Sequence, residues 1–261
     1  ASDYLEISPE YGAKDDLIGL IDDLHQRGMQ LVLDGVFNHI GRSSSLFQEA
    51  ASSPSNAYRD WFYFNEQYPH GVRLWANAPS LPELNYENPA VRDFVYGAPD
   101  SVVRTYLRWG VDGWRLDTAF ELGFTRLAEL TECAHQEKPG SLVVGEIWNY
   151  PQDWFPSLDA VMNFTLRQIL LDSAQENLAP AMANEMIARM IADAGIEPML
   201  KSWVLLDNHD LPRMTHTFPD PQARRVAPGN AHPHGSPEGR GGPGPSPVVR
   251  ARCPGGTDRR G

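Results

Sequence analysis

Four carboxylates, Asp34, Asp117, Glu146 and Asp210, are spaced along the 261 residues at intervals of 83, 29 and 64. Each closes or directly follows a short apolar run, and basic groups accompany them. Arg115 stands two residues before Asp117, His39 five after Asp34, and His209 immediately before Asp210. Paired carboxyl groups suit cleavage of a glycosidic bond: a neutral one protonates the leaving oxygen and an ionised one attacks the anomeric carbon. An Arg beside a carboxylate favours its ionised form. Residues two apart on a strand share a face, so Asp117 fits the attacking role. One acid at a strand end is equally a helix cap; four at successive strand ends call for another explanation.

The elements that must position them alternate between strand and helix. Asp15 and Asp16 open a helix with Leu17, Leu20, Ile21 and Leu24 on one face, closing near Gly28. Residues 29–33 form a short apolar run of the kind buried parallel strands show, ending at Asp34. A second helix starts at Asn88-Pro89, with Asn as cap and Pro at the first helical position, and Pro99 breaks it before 101–109 resumes. Strand-like runs then end at Asp117, at Glu146, near Asn163 and, over 203–206, just before Asp207. Helical patterns lie between them: Leu127, Leu130 and Ala134, and a Met182, Met186, Met190 stripe read as core packing. This alternation predicts a parallel α/β fold. In a (β/α)8 barrel the catalytic groups come from the carboxyl ends of several strands.

Composition narrows the function class. No apolar run approaches the roughly 20 residues of a membrane-spanning helix. Two cysteines, Cys133 and Cys253, do not make a disulfide scaffold or a cysteine-built zinc site. A net charge of −12 argues against a nucleic-acid footprint and suits a neutral substrate. No leader is visible in residues 1–10, and the compartment is left unknown with the cytoplasm favoured. Residues 226–261 are rich in Gly, Pro and Arg and lack Leu, Ile, Met, Phe, Trp and Tyr, so they are expected to be a disordered tail. Residues 40–87, polar and aromatic without a clean period, read as an inserted loop subdomain; Trp61, Phe62, Tyr63 and Phe64 divide there between sugar stacking and packing of the loop's own small core.

Four segments carry a resemblance. Asp34-Gly35-Val36-Phe37-Asn38-His39, Gly113-Trp114-Arg115-Leu116-Asp117, Gly145-Glu146-Ile147-Trp148 and Asp207-Asn208-His209-Asp210 resemble, in order, four signature motifs of the α-amylase family of glycoside hydrolases. The resemblance spans roughly residues 1–225. It implies a (β/α)8 barrel with Asp117 as nucleophile and Glu146 as general acid/base. Asp210 would be the third acid, holding the distorted sugar and stabilising the transition state. Arg115, His39 and His209 match positions that bind the sugar whose bond is cut, and Asp34 matches an acid supporting the floor of the site. Leu81-Pro82-Glu83-Leu84-Asn85 with Glu87-Asn88-Pro89 is similar to an extra motif of neopullulanases, cyclomaltodextrinases and maltogenic amylases, although Glu83 stands where that pattern usually has Lys. Glu121 and the run 159–163 are similar to the same group, and the Lys-His pair usual near 119–121 in starch-degrading α-amylases is absent.

The implied reaction is retaining hydrolysis, or transglycosylation, of α-1,4-glucosidic bonds in maltooligosaccharides, cyclodextrins, pullulan or starch. An α-1,6-acting oligosaccharide glucosidase and an inactive glucan-binding chain stay open as alternatives. The chemistry requires no cofactor; Asn38 matches a calcium ligand in many α-amylases, with a hydrogen bond inside the long loop as the alternative. The expected partner is an α-glucan, without nucleic acid or membrane, and the full-length enzyme has room for a homodimer. Asp3-Tyr4-Leu5-Glu6-Ile7 resembles the segment after the family's second barrel strand, so the barrel is expected to be incomplete, with residues 1–225 as its part and the tail from 226 either read out of frame or a natural flexible appendage.

Overall fold

The computed structural model describes residues 3–220 and the backbone of 248–251. In chain order the elements are α1 (Lys14–Gln26), β1 (Gln30–Gly35), α2 (Ser45–Ser52), α3 (Pro89–Arg92), α4 (Val102–Arg108), β2 (Gly113–Leu116), α5 (Ala119–Glu137) and β3 (Leu142–Ile147). They continue with β4 (Ala160–Asn163), α6 (Phe164–Ala174), α7 (Pro180–Ala194), α8 (Ile196–Lys201), α9 (Met214–Thr217) and β5 (Val248–Ala251). Two units form, Ala1–Val143 with Ser246–Gly261, and Val144–Pro245; the chain passes from one to the other inside β3.

In the first unit β1 lies between β2 and β5 and runs parallel to both, with Asp34 opposite Arg115 and Gln30 opposite Val248. Parallel strands covered on both faces read as unbroken apolar runs, and Leu31, Val32 and Leu33 are all buried. Asp112 ties the strands' starting ends: its carboxylate accepts from Leu31 N, His25 Nε2 and Lys138 Nζ, each at 2.8 Å. The backbones of β2 and β3 meet so closely that a Cβ on Gly113 would lie 2.2 Å from the Leu142 carbonyl oxygen; only glycine fits. On α5, Leu127, Leu130 and Ala134 are fully buried, as their spacing predicts.

Local signals are expressed as read. Asn88 Oδ1 caps α3 by accepting from Ala90 N at 2.9 Å, and Pro89 opens the helix. A wider π-helical turn over Asp93–Gly97 follows, and the chain breaks at Ala98 before α4. On α1, Ile21 and Leu24 are buried, but Leu20 is 47% exposed, so the buried stripe is narrower than the sequence pattern. Most of the 226–261 tail lies outside the described residues. Its described part, Val248–Ala251, forms β5, paired parallel along β1.

In the second unit β3 pairs parallel with β4, Glu146 opposite Met162. The strand expected over 203–206 shrinks to one bridge, with Asn163 N donating to Trp203 O at 3.0 Å and Trp203 N to Val161 O at 2.9 Å. Among the described residues no strand pairs with 204–206; Leu206 O accepts instead from Arg167 Nε at 2.9 Å, and Val204 is 46% exposed. The methionine stripe is out of phase with the core. Only Met190 is buried; Ala183, Ile187 and Met190 form the inner face of α7 against Ile169 and Met199, while Met182 and Met186 face outward. No helix among the described residues is long and apolar enough to cross a membrane.

Candidate active site

The carboxyl end of β1 and the chain after it are built by packing. A Cβ on Gly35 would lie 2.6 Å from the Phe37 ring, so glycine lets Phe37 fold back against Trp114, ring centres 5.2 Å apart. Tyr4 Oη donates to Val36 O and Tyr86 Oη to Phe37 O, at 2.7 and 2.9 Å. Burial holds the Tyr86 phenol well above its ordinary value, so it remains a donor. The long loop returns here too: Leu84 N donates to Asn38 O and Ile40 N to Pro82 O, both 3.0 Å, and His39 bridges Glu83. The carboxylate at Glu83, where Lys is usual, has its counterion in Arg73, whose Nε donates to Glu83 Oε2.

Three of the expected residues converge on one ion cluster. Arg115 is fully buried, and its Nη1 donates to Asp34 Oδ1 and to Asp117 Oδ1, both at 2.7 Å. A guanidinium buried this deeply must be paired and hydrogen-bonded to be tolerated at all. Asp117 N donates to Gly35 O at 3.0 Å, extending the ladder to the strand's end. Thr118 follows in the left-handed region, φ 44° and ψ 42°, where a β-branched residue is uncommon. That kink turns the chain into α5 within one residue of Asp117. The Asp117 carboxylate is thereby anchored through Oδ1, and Oδ2 carries no hydrogen bond from the described residues.

His39 is coupled to the same cluster. Burial lowers its pKa from 6.5 to about 4, against an opposing pull from Asp117, so the imidazole is neutral. Its Nδ1 is buried without a partner. Its ring stacks on Trp75, centres 4.9 Å apart and planes 22° from parallel. Trp75 and Tyr86 were not singled out by sequence reasoning, and Tyr4 only as part of the segment 3–7. All three lie far along the chain from the groups they touch; the only local signal was a tryptophan in an Ala/Pro-rich stretch beside the extra motif.

The second unit carries the remaining expected residues. Glu146 is buried, 3% exposed, at the carboxyl end of β3. Trp148 is 44% exposed and stacks on Phe164 at 4.0 Å. His209 Nε2 and Asp210 Oδ2 are 3.0 Å apart on an exposed turn, shaped by Asp210 N donating to Asn208 Oδ1 at 3.0 Å. Asp207 serves structure: it accepts from Met214 N at 2.7 Å and pairs with Arg213.

Of the aromatic run, Phe62 and Phe64 pack on Phe47, ring centres 5.0 and 5.8 Å away, forming the loop's own small core. After β1, Asn38 Nδ2 is buried without a partner, and among the described residues no group of three or more His, Cys, Asp or Glu is placed to hold a metal.

Parallel strands joined through helices, with carboxylates at their carboxyl ends, are the arrangement from which β/α-barrel enzymes draw their catalytic groups. The chain belongs to the alpha-amylase catalytic-domain family, whose model matches residues 1–232. It is 32% identical over 222 residues to a cyclomaltodextrinase from a Bacillus species, covering 81% of this chain and 39% of that protein. It is 32% identical over 225 residues to neopullulanase 2 of Thermoactinomyces vulgaris, covering 81% and 37%. Among solved structures it is similar to the ligand-free cyclic α-maltosyl-(1→6)-maltose hydrolase of Arthrobacter globiformis, with TM-score 0.81 at 25% identity, covering 87% of this chain and 53% of that one. The chain thus spans about two fifths of the length of these curated relatives.

Proposed function

We propose that this chain carries the catalytic carboxylates of a retaining glycoside hydrolase acting on α-1,4-glucosidic bonds of maltooligosaccharides or cyclodextrins. The observation that carries the reading is Asp117: one oxygen is clamped by fully buried Arg115, and the other has no hydrogen bond from the described residues. A nucleophile needs an ionised carboxylate in a fixed orientation with one oxygen available. In the first step Asp117 Oδ2 attacks the anomeric carbon while Glu146 gives its proton to the departing glycosidic oxygen, leaving a glycosyl ester. In the second step Glu146 takes a proton from water, which attacks the same carbon and releases Asp117 with the configuration retained. Asp210 and His209 contribute a carboxylate and a donor to the sugar, and neutral His39 can hydrogen-bond a hydroxyl without adding charge. The names of the relatives, a cyclomaltodextrinase and a neopullulanase, support cyclic maltodextrins and pullulan as first substrates.

The test is product stereochemistry and turnover on γ-cyclodextrin, maltotetraose, pullulan and isomaltotriose. Proton NMR recorded before mutarotation should show the α-anomer, and Asp117→Asn should abolish turnover while leaving maltotriose binding intact. Glu146→Gln should impair natural glucans far more than aryl maltosides with good leaving groups, which need no protonation. A β-anomeric first product, or an unchanged rate in Asp117→Asn, overturns the mechanism. Turnover of isomaltotriose alone moves the assignment to α-1,6 bonds.

A further inference from the structure

The imidazole of His39 makes no hydrogen bond to the described residues through either nitrogen; Nδ1 is buried and unpartnered. A sugar-binding histidine needs a fixed ring plane, and this is ordinarily set by a hydrogen bond from its second nitrogen. Here the ring contact that fixes the plane is the Trp75 stack at 4.9 Å.

Trp75 is itself held firmly. Trp75 N donates to Leu81 O at 3.0 Å, Ala78 N to Trp75 O at 2.8 Å, and the neighbouring Leu74 bridges Pro82. The two residues after it, Ala76 and Asn77, sit in the left-handed region with φ of 49° and 56°. Non-glycine residues enter that region at a cost that surrounding structure must hold in place. The loop is joined to the β1 end on both sides of the stack: His39 bridges Glu83, and Arg42 N donates to Ser80 O at 2.8 Å.

We infer that Trp75 is a positioning residue: its indole plane fixes the His39 imidazole in the orientation that meets a glucose hydroxyl. The inference rests on the reading of His39 as a sugar contact and adds the device that makes it competent. Trp75 acts by covering one face of the imidazole, excluding water from that face and leaving the ring edge for the ligand. The long loop therefore tunes the site from a position outside the family's four motifs, and loop variants that lose the tryptophan would bind sugar weakly with every motif residue intact.

The experiment combines maltotriose titration calorimetry with ring-resolved NMR titration of His39, assigned by its absence in His39→Gln. Trp75→Ala should raise the His39 pKa by about one unit or more, toward the ordinary value, because the lost indole readmits water. The same variant should weaken maltotriose about tenfold, and Trp75→Phe, which keeps an aromatic plane, should largely restore both. Should Trp75→Ala fail to fold, Trp75→Ser also removes the plane and readmits water, and carries the same comparison. An unchanged titration overturns the inference, and so does a shifted titration with unchanged affinity. Unchanged affinity in His39→Gln overturns instead the reading of His39 as a sugar contact.

Discussion

Replacing Arg115 with Met removes the guanidinium but keeps much of the side-chain bulk. Arg115 is fully buried and Asp34 is 4% exposed, while Asp117 retains 19% side-chain exposure and can rehydrate. The loss therefore falls mainly on Asp34, a buried carboxylate deprived of the Arg115 guanidinium, and removing one partner of a buried ion pair costs about 3–5 kcal/mol. Against a domain stability of about 5–15 kcal/mol, that is a large fraction. With a urea slope of about 2 kcal/mol per molar, the midpoint should fall by roughly 2 M. The assay is urea unfolding followed by far-UV circular dichroism at pH 7. Adding Asp34→Asn to Arg115→Met removes the buried negative charge that the guanidinium offset and should recover about half of the loss, a coupling that independent sites would not show. A loss below about 1 kcal/mol in Arg115→Met, or no recovery in the double variant, would refute the reasoning that the pair is desolvated and mutually dependent.

Gly113→Ala should prevent stable folding, because its Cβ would sit 2.2 Å from a backbone oxygen that cannot move without opening β2 from β3; cooperative unfolding at wild-type midpoint in this variant would contradict the close approach. His39 gives a pH signature: since its folded pKa lies near 4 and the unfolded value near 6.5, the unfolded chain takes the proton first as pH falls. Stability complete above pH 6.5 should then drain away toward pH 4 by up to about 3 kcal/mol, and His39→Gln should flatten that slope in melts taken across the range. At Asp112, burial opposes the charged form but is outweighed by bonds from Lys138, His25 and Leu31 N, and its pKa is lowered. Its contribution should be present above the ordinary carboxylate value and lost as pH falls through the lowered one. Asp112→Ala should cost about 2–3 kcal/mol, measured by the shift in urea midpoint.

What was legible in the sequence was local. The Asn88-Pro89 start and the break at Pro99 depend on a side chain capping its own helix and on a missing N–H, and both appear where they are written. Runs such as Leu31-Val32-Leu33 announce strands covered on both faces, so the acids closing them fall at strand ends. The site residues could be nominated because the motifs that carry them are contiguous. Helix phase was less legible. Met182, Met186 and Met190 have helical spacing, but Ala183, Ile187 and Met190 face inward, since the neighbours Ile169 and Met199 decide which side of α7 is covered. The run over 203–206 has strand composition yet gains a single bridge, because a strand exists only where a partner supplies hydrogen bonds.

Tertiary structure alone decided the partners. Asp34 and Arg115 are 81 residues apart, and only the register of β1 against β2 brings them to 2.7 Å. His39 and Trp75 meet because an aperiodic loop is pinned back along the β1 end by its own backbone. Residue type and short-range spacing determine which groups can do chemistry and which elements carry them, since dihedral preference, capping and apolar periodicity act over a turn or two. Which oxygen of Asp117 is clamped, and what holds His39 in plane, depend on contacts whose closure along the chain no local pattern encodes.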